Sequence, residues 1–336
     1  MYALRWPLTL LLSLLSFALA YIIGRVLIPW LRKEKIGQEV RELGPKTHYA
    51  KSGTPTFGGL IFLLPTLLLG GFVAWSFPFA KALFGILIFT LGMAAIGFAD
   101  DYIKVRINKE GLSAFWKTVP MLLLCVLLVL WYLLLPSFDS ALLVPFSHYF
   151  FSIHGWWKLP YGLLLVIYLY YITNSVNLTD GVDGLLGTLC LPVAAVLGLG
   201  AVILQRPGTA GYTSLMCILV AALLAFLCFN RHPARIFMGD TGSLALGGLL
   251  SAMAMFLASP WVFLLLGFIF CAESLSVIIQ RAYFRRTGGK RIFRMSPIHH
   301  HYELGGWSEP QIVWRFTLVT LLGAVLTLLS WYAFIS

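Results

Sequence analysis

Ten apolar stretches, each near the ~20 residues that a bilayer core demands of a helix, leave few folds open to this sequence. They fall at about 7–31, 57–77, 79–99, 118–135, 157–175, 184–204, 211–229, 241–258, 260–284 and 311–334. In hydrocarbon every backbone N–H and C=O has to be satisfied within the chain, so such runs read as helices. Only 11% of the residues are charged, against about a quarter in a soluble domain, too few to cover a water-soluble fold. The expected fold is a single integral membrane domain over 1–336, all-α and polytopic, with about ten transmembrane helices. The first run is too long for a signal-peptide core and ends in Arg25 and Arg32, so it reads as a helix. The five cysteines sit inside apolar runs without a C-x-x-C pair, which argues against a disulfide framework or zinc site.

Charge sets the orientation. Eighteen of the 24 lysines and arginines lie in the odd-numbered connections (32–56, 100–117, 173–183, 230–240 and 281–310), and only Lys81, Lys158 and Arg206 in the even ones. The positive-inside rule puts the odd connections in the cytoplasm and both termini in the periplasm. The net charge of +11 is then mainly an orientation signal, with anionic lipid or substrate as a second use and no nucleic acid expected. Connection four, about 136–156, is expected to form a small periplasmic hairpin from Leu142–Val144 and Tyr149–Phe151.

Acidic residues follow the same partition without a topological reason. Of thirteen, only Asp139 falls on the outer side and only Glu273 deep in an apolar run. The other eleven face the cytoplasm, which asks for a chemical explanation.

Five cytoplasmic stretches carry it. Lys51 to Gly59 offers a lysine, threonines suited to cap the second helix, and glycines that let a phosphate approach backbone amides. Asp100 and Asp101 are adjacent carboxylates at the end of the third apolar run, where self-repulsion and the helix dipole both disfavour them. A cation is expected to compensate them, either a divalent metal or a lysine such as Lys104 or Lys117. Thr173 to Gly184 carries two Asn and two Asp with no basic residue; it reads as a turn or as a set of ligand donors. Asn230 to Ser243 brings Asp240 to a helix start, as an N-cap or as a metal ligand. The basic segment ending in Ser296, His299, His300, His301 and Glu303 suits phosphate binding or proton transfer better than zinc, whose ligands are usually spaced. Carboxylates, amides, histidines and lysines on one membrane face fit Mg²⁺-assisted phosphoryl transfer onto a lipid.

These stretches resemble the motifs of the polyprenyl-phosphate N-acetylhexosamine-1-phosphate transferase superfamily: GTPTFGG at 53–59, Asp100-Asp101, NSVNLTDGVDG at 174–184, FMGDTGS at 237–243 and MSPIHHHYE at 295–303. Five motifs in order across ten helices make the resemblance specific, and the triple histidine favours the muramyl branch over the GlcNAc-1-phosphate branch. The resemblance implies transfer of phospho-MurNAc-pentapeptide from UDP-MurNAc-pentapeptide to undecaprenyl phosphate. The products would be UMP and lipid I for peptidoglycan synthesis, at the bacterial inner membrane. It implies Mg²⁺ held by Asp240, and Asp100, Asp101, Asp240 and His299 as catalytic residues. Asp100 would deprotonate or orient the lipid phosphate, with Asp101 in support. Lys104 and Lys117 would neutralise phosphates. Lys51, Thr56, Asn174, Asn177, Asp180, Gly181, Asp183, Phe237 and Gln280 would shape the nucleotide pocket. Asn230, Ser296, His300 and His301 would join His299 along the phosphate and sugar region. It also implies a homodimer. The rival readings are a GlcNAc-1-phosphate transferase on the same scaffold and a secondary transporter. Ionisable groups near mid-membrane depth would favour the transporter, and Glu273 alone meets that description.

Overall fold

A computed structural model describes residues 6–34, 36–37, 53–76, 81–135, 140–205 and 208–332. Among them ten helices have 18 or more residues: α1 (Trp6–Lys33), α2 (Gly59–Ser76), α3 (Lys81–Arg106), α4 (Ala114–Leu134), α5 (Lys158–Leu178), α6 (Leu185–Leu204), α7 (Thr209–Asn230), α8 (Gly239–Phe256), α9 (Phe268–Arg286) and α11 (Glu309–Tyr332). A short α10 (Ile298–Glu303) precedes the last. Eight of the long helices are apolar and long enough to cross a membrane, which makes this a multi-pass membrane protein. The other two long ones are α8, which opens on Asp240, and α9, which ends in arginines.

The centre of the bundle is α8. It is apolar on every side, and every residue in it but Asp240 is buried, as expected of a helix enclosed by others. It packs against α2, α3, α5 and α6. Small residues make this close packing possible. A Cβ on Gly97 would collide with the Asp240 carbonyl, one on Gly59 with the Gly242 backbone, and one on Gly247 with Thr173. Backbone approach of this kind is how small residues build helix interfaces in membranes.

The expected hairpin is present: β1 (Ala141–Leu143) pairs antiparallel with β2 (Phe150–Ser152), with Leu142 opposite Phe151. It docks beyond the C-terminal end of α8, where Leu143 N–H donates to the Ala258 carbonyl and Trp261 Nε1 to the Leu143 carbonyl. Eighteen residues of α8, about 27 Å at 1.5 Å each, separate the hairpin from Asp240. Exposed tryptophans mark both ends of the bundle: Trp6, Trp75 and Trp156 on the hairpin side, Trp116 on the side of Asp240. That is the placement expected of interfacial aromatics.

Two local expectations are corrected. Helix α3 runs on to Arg106, so Asp100 and Asp101 lie inside it rather than at its end. Helix α5 runs to Leu178, so Thr173 to Asn177 are helical and only 179–184 forms the turn. In both cases the helix continues past its apolar run because polar side chains find partners on neighbouring segments.

Candidate active site

Four segments meet around the N-terminus of α8. Lys104 Nζ lies 2.6 Å from Asp100 Oδ2 and 2.7 Å from Asp240 Oδ2. Lys117 Nζ, on α4, reaches the same two oxygens at 3.3 and 2.7 Å. Two ammonium groups thus bridge two carboxylates from different helices, and the quartet is close to neutral. Asp100 Oδ1 also accepts the Leu112 N–H at 2.6 Å. That contact needs the α3–α4 turn to come close, which Gly111 allows through its positive φ of 78° and its lack of a side chain against Asp100. Asn177 Nδ2, from the last turn of α5, donates to Asp240 Oδ1 at 2.8 Å and to Ser243 Oγ at 2.7 Å.

Asp101 does something else. It is fully buried and accepts the Asp240 N–H at 3.0 Å, the Thr241 N–H at 2.9 Å and the Thr241 hydroxyl at 2.7 Å. The first N–H groups of a helix lack partners within it. Here a carboxylate from α3 supplies them and sits at the positive end of the α8 dipole. Successive helical residues point about 100° apart, so the two aspartates face different partners: Asp100 the lysines, Asp101 the helix end.

The threonine caps expected for α2 are not the arrangement found. Gly58 and Gly59 N–H instead donate to the carbonyls of Phe237 and Met238, both at 2.8 Å. The Phe237 N–H donates to Pro55 O at 2.8 Å, so the 53–59 and 237–243 motifs are joined through their backbones. Thr56 is fully buried and its hydroxyl has no hydrogen-bond partner among the described residues. It lies beside Gly239 and Asp101. Lys51 lies outside the described residues.

Asp180 sits in the turn 179–184, partly exposed. Burial, then the carboxylates of Asp240, Asp101 and Asp183, push its pKa up to about 8. Burial is the larger cause and the surrounding carboxylates add to it, so acidic groups gather here in a way that fits a site built to receive a cation.

Asp183 belongs to a second cluster. Its Oδ2 lies 3.1 Å from His232 Nδ1 and accepts the Ala234 N–H at 3.0 Å, while its own N–H donates to Glu309 Oε2 at 2.9 Å. Asp183, His232 and Glu309 offer ligand atoms within 4.8 Å of one another, an arrangement compatible with a metal ion. They line a cavity of about 540 Å³ with Thr54, Glu303 and Trp307. His232 and Glu309 were missed by the reading of the sequence, since they are 77 residues apart and neither lies in a polar run of its own kind.

The remaining candidates are dispersed. Gln280 uses both ends of its amide on the basic segment, accepting the N–H groups of Ile292 and Phe293 at 3.0 Å and donating to the Phe293 carbonyl at 3.2 Å. Asn230 donates to the Ile236 carbonyl at 2.9 Å and Asn174 to the Tyr170 carbonyl at 2.8 Å. Ser296 lies two residues before α10. The three histidines diverge. His299 is buried against Glu273 and Gly181, His300 Nδ1 lies 3.1 Å from Glu303 Oε2, and His301 Nδ1 accepts the Arg294 N–H at 3.1 Å. They do not converge on one metal.

Two lysines clamping carboxylates of separate helices, beside an all-oxygen acidic turn at a membrane surface, form a site suited to phosphates and a hard cation. Residues 83–258, half of the chain, match the sequence model described as glycosyl transferase family 4. The chain is 42% identical to the phospho-N-acetylmuramoyl-pentapeptide-transferase of Caldanaerobacter subterraneus over 95% of its length and 97% of the relative's. It is 44% identical to the protein of that name from Geobacillus thermodenitrificans, over 93% and 94%, and 42% identical to that of Acetivibrio thermocellus, over 93% and 92%. The chain belongs to this family.

Proposed function

We propose that this protein transfers phospho-MurNAc-pentapeptide from UDP-MurNAc-pentapeptide to undecaprenyl phosphate, giving lipid I and UMP, at the cytoplasmic face of the bacterial inner membrane. The observation that carries the reading is the pair Lys104 and Lys117, each shared between Asp100 and Asp240. An incoming lipid phosphate and a diphosphate both need cations at the same place, and positioning with charge compensation is most of what phosphoryl transfer requires of a protein.

In this reading an oxygen of the lipid phosphate attacks the sugar-linked phosphorus. A new P–O bond forms, the bond to the bridging oxygen breaks, and its electron pair leaves with UMP. A phosphate monoester has its second pKa near 6, so Asp100 has at most one proton to accept and otherwise orients the nucleophile. Both Asp100 oxygens are already engaged, one by Leu112 N–H and the other by two ammonium groups. That favours direct attack over a covalent aspartyl-phosphate.

Asp240, with the crowded Asp180 nearby, would hold Mg²⁺; their all-oxygen donors suit a hard cation, whereas the triad of Asp183, His232 and Glu309 contains an imidazole that suits softer metals. When bound, Mg²⁺ supplies charge neutralisation to the diphosphate. Lys104 and Lys117 neutralise phosphates, Asn177 orients Asp240, and Asp101 holds the helix end from which Asp240 projects. Asp183 and Phe237 contribute to the nucleotide pocket, and His300 and His301 to the polar rim beside it. We also propose that the protein works as a homodimer.

The test is incubation of purified protein with undecaprenyl phosphate and either UDP-MurNAc-pentapeptide or UDP-GlcNAc, following UMP release and the lipid product. Turnover with the first alone is expected. Turnover with UDP-GlcNAc alone would transfer the reading to the GlcNAc-1-phosphate branch.

A further inference from the structure

Glu273 is the acidic residue that topology did not explain, lying deep in the apolar run of α9 and fully buried. A carboxylate in such a place has to be paired. Its partner comes from α10. Glu273 Oε2 accepts the His299 N–H at 3.4 Å, and Oε1 lies 3.1 Å from His299 Nδ1, an ion-pair distance at which neither atom makes a hydrogen bond among the described residues. One carboxylate therefore bonds the backbone of His299, faces its ring at ion-pair distance, and straps the start of α10 to α9.

The ring carries the contact further. His299 is 1% exposed, and its Nε2 edge lies directly on Gly181, where a Cβ would collide with it. Glycine at 181 thus lets the imidazole rest on the backbone of the turn that bears Asp180 and Asp183. On the far side that turn is tied through Asp183 to Glu309 and Ala234. With the ring this enclosed, His299 bears on the turn beside it in addition to the catalytic role the motif resemblance implies.

We infer that Glu273 is a positioning residue which, through His299, holds the acidic turn 179–184 in register with the α8 terminus. A buried acid–imidazole pair serves well here because the backbone hydrogen bond is directional and the charge contact draws the ring to the same carboxylate. An apolar pair of the same volume would fill the space without fixing the angle at which α10 meets the turn.

The inference rests on the proposed function only for its kinetic arm. Its primary readout is amide hydrogen exchange in the full-length protein in detergent, which needs no turnover. Peptides covering 179–184 are compared with the distant hairpin at 141–152 as internal reference. Glu273→Gln keeps the shape and removes the charge; exchange of the turn is expected to accelerate about tenfold while the hairpin stays unchanged. His299→Gln is expected to give the same change, and the double variant no more than either single one, as for residues in one chain of contacts. In the kinetic arm, KM for the UDP substrate rises about fivefold in Glu273→Gln while KM for the lipid phosphate holds. Unchanged exchange of the turn in folded Glu273→Gln, or additive effects in the double variant, would overturn the inference. Should Glu273→Gln not fold, Gly181→Ala displaces the ring from the other end and is expected to loosen the same turn; an unaltered turn in that variant would overturn it equally.

Discussion

Replacing Asp101 with Asn separates the two adjacent aspartates more sharply than any other change. Asp101 is buried and receives three hydrogen bonds from the first residues of α8. Asparagine keeps one acceptor oxygen, enough for Thr241, and turns its NH₂ toward the Asp240 N–H, donor against donor. A hydrogen bond to a charged group contributes about 1.5–3 kcal/mol, and the lost charge at the helix end about 0.5–1 kcal/mol more. The expected destabilisation is therefore about 2–4 kcal/mol, read as a fall in melting temperature of about 4–8 °C. Turnover falls with it, because Asp240 projects from the turn that Asp101 holds. Asp100→Asn should behave differently, losing turnover while melting at or near the wild-type temperature, since it removes a charge shared between two lysines. Scanning fluorimetry in detergent, paired with UMP release, measures both. A wild-type melting temperature for folded Asp101→Asn would refute the capping argument.

Other outcomes follow from the same geometry. Asp240→Asn abolishes turnover with the fold retained; near wild-type UMP release from the purified variant would remove Asp240 from the site. Chelation with EDTA should stop turnover and added Mg²⁺ restore it, with calorimetric Mg²⁺ binding lost in Asp240→Asn. Gly97→Ala drives a methyl into the Asp240 carbonyl and should cost about 1–3 kcal/mol or more, whereas Gly71→Ala, which meets nothing, leaves the melting temperature unchanged or higher. Asp180, pushed up to about 8 from the ordinary value near 3.9, binds its proton more tightly in the folded state. Its contribution is present in full below about pH 4 and is lost as pH rises through about 8. In the presence of chelator, melting temperature should therefore decline between about pH 4 and pH 8, and Asp180→Asn should flatten the profile.

The ten long helices and the hairpin were legible because each is encoded locally, by runs of bilayer length and by a short pair of β-prone segments around Pro145. The convergence of Asp100, Asp180 and Asp240 on one face was legible through topology, since alternate connections return to the same side. What could not be read was the division of labour inside that face. Asp100 and Asp101 are neighbours in sequence, and only the position of α8 decides that one meets lysines and the other a helix end. Gln280 is placed in the nucleotide pocket by the resemblance alone, and its hydrogen bonds to the basic segment twelve and thirteen residues on have no signal in the sequence. Glu273 and His299 are 26 residues apart with no periodic relation, so their pairing exists only in three dimensions.

The central helix is fastened at both extremities, by the Asp101 carboxylate at one and by the hairpin backbone through Ala258 at the other. A rod gripped at each end and enclosed along its length resists sliding, tilting or unwinding to suit a ligand. Asp240 is thereby a fixed datum in the molecule, and any adjustment to a bulky peptide or a long lipid has to come from what surrounds it: lysine side chains, the acidic turn and the basic segment. The peripheral helices α1, α4 and α11, largely open to lipid, can follow changes in bilayer thickness without shifting that reference point. The same rigid connection makes the far side of the membrane a place from which the site can be perturbed. A ligand that pulls on the hairpin at Leu143 acts on the end of α8 opposite Asp240.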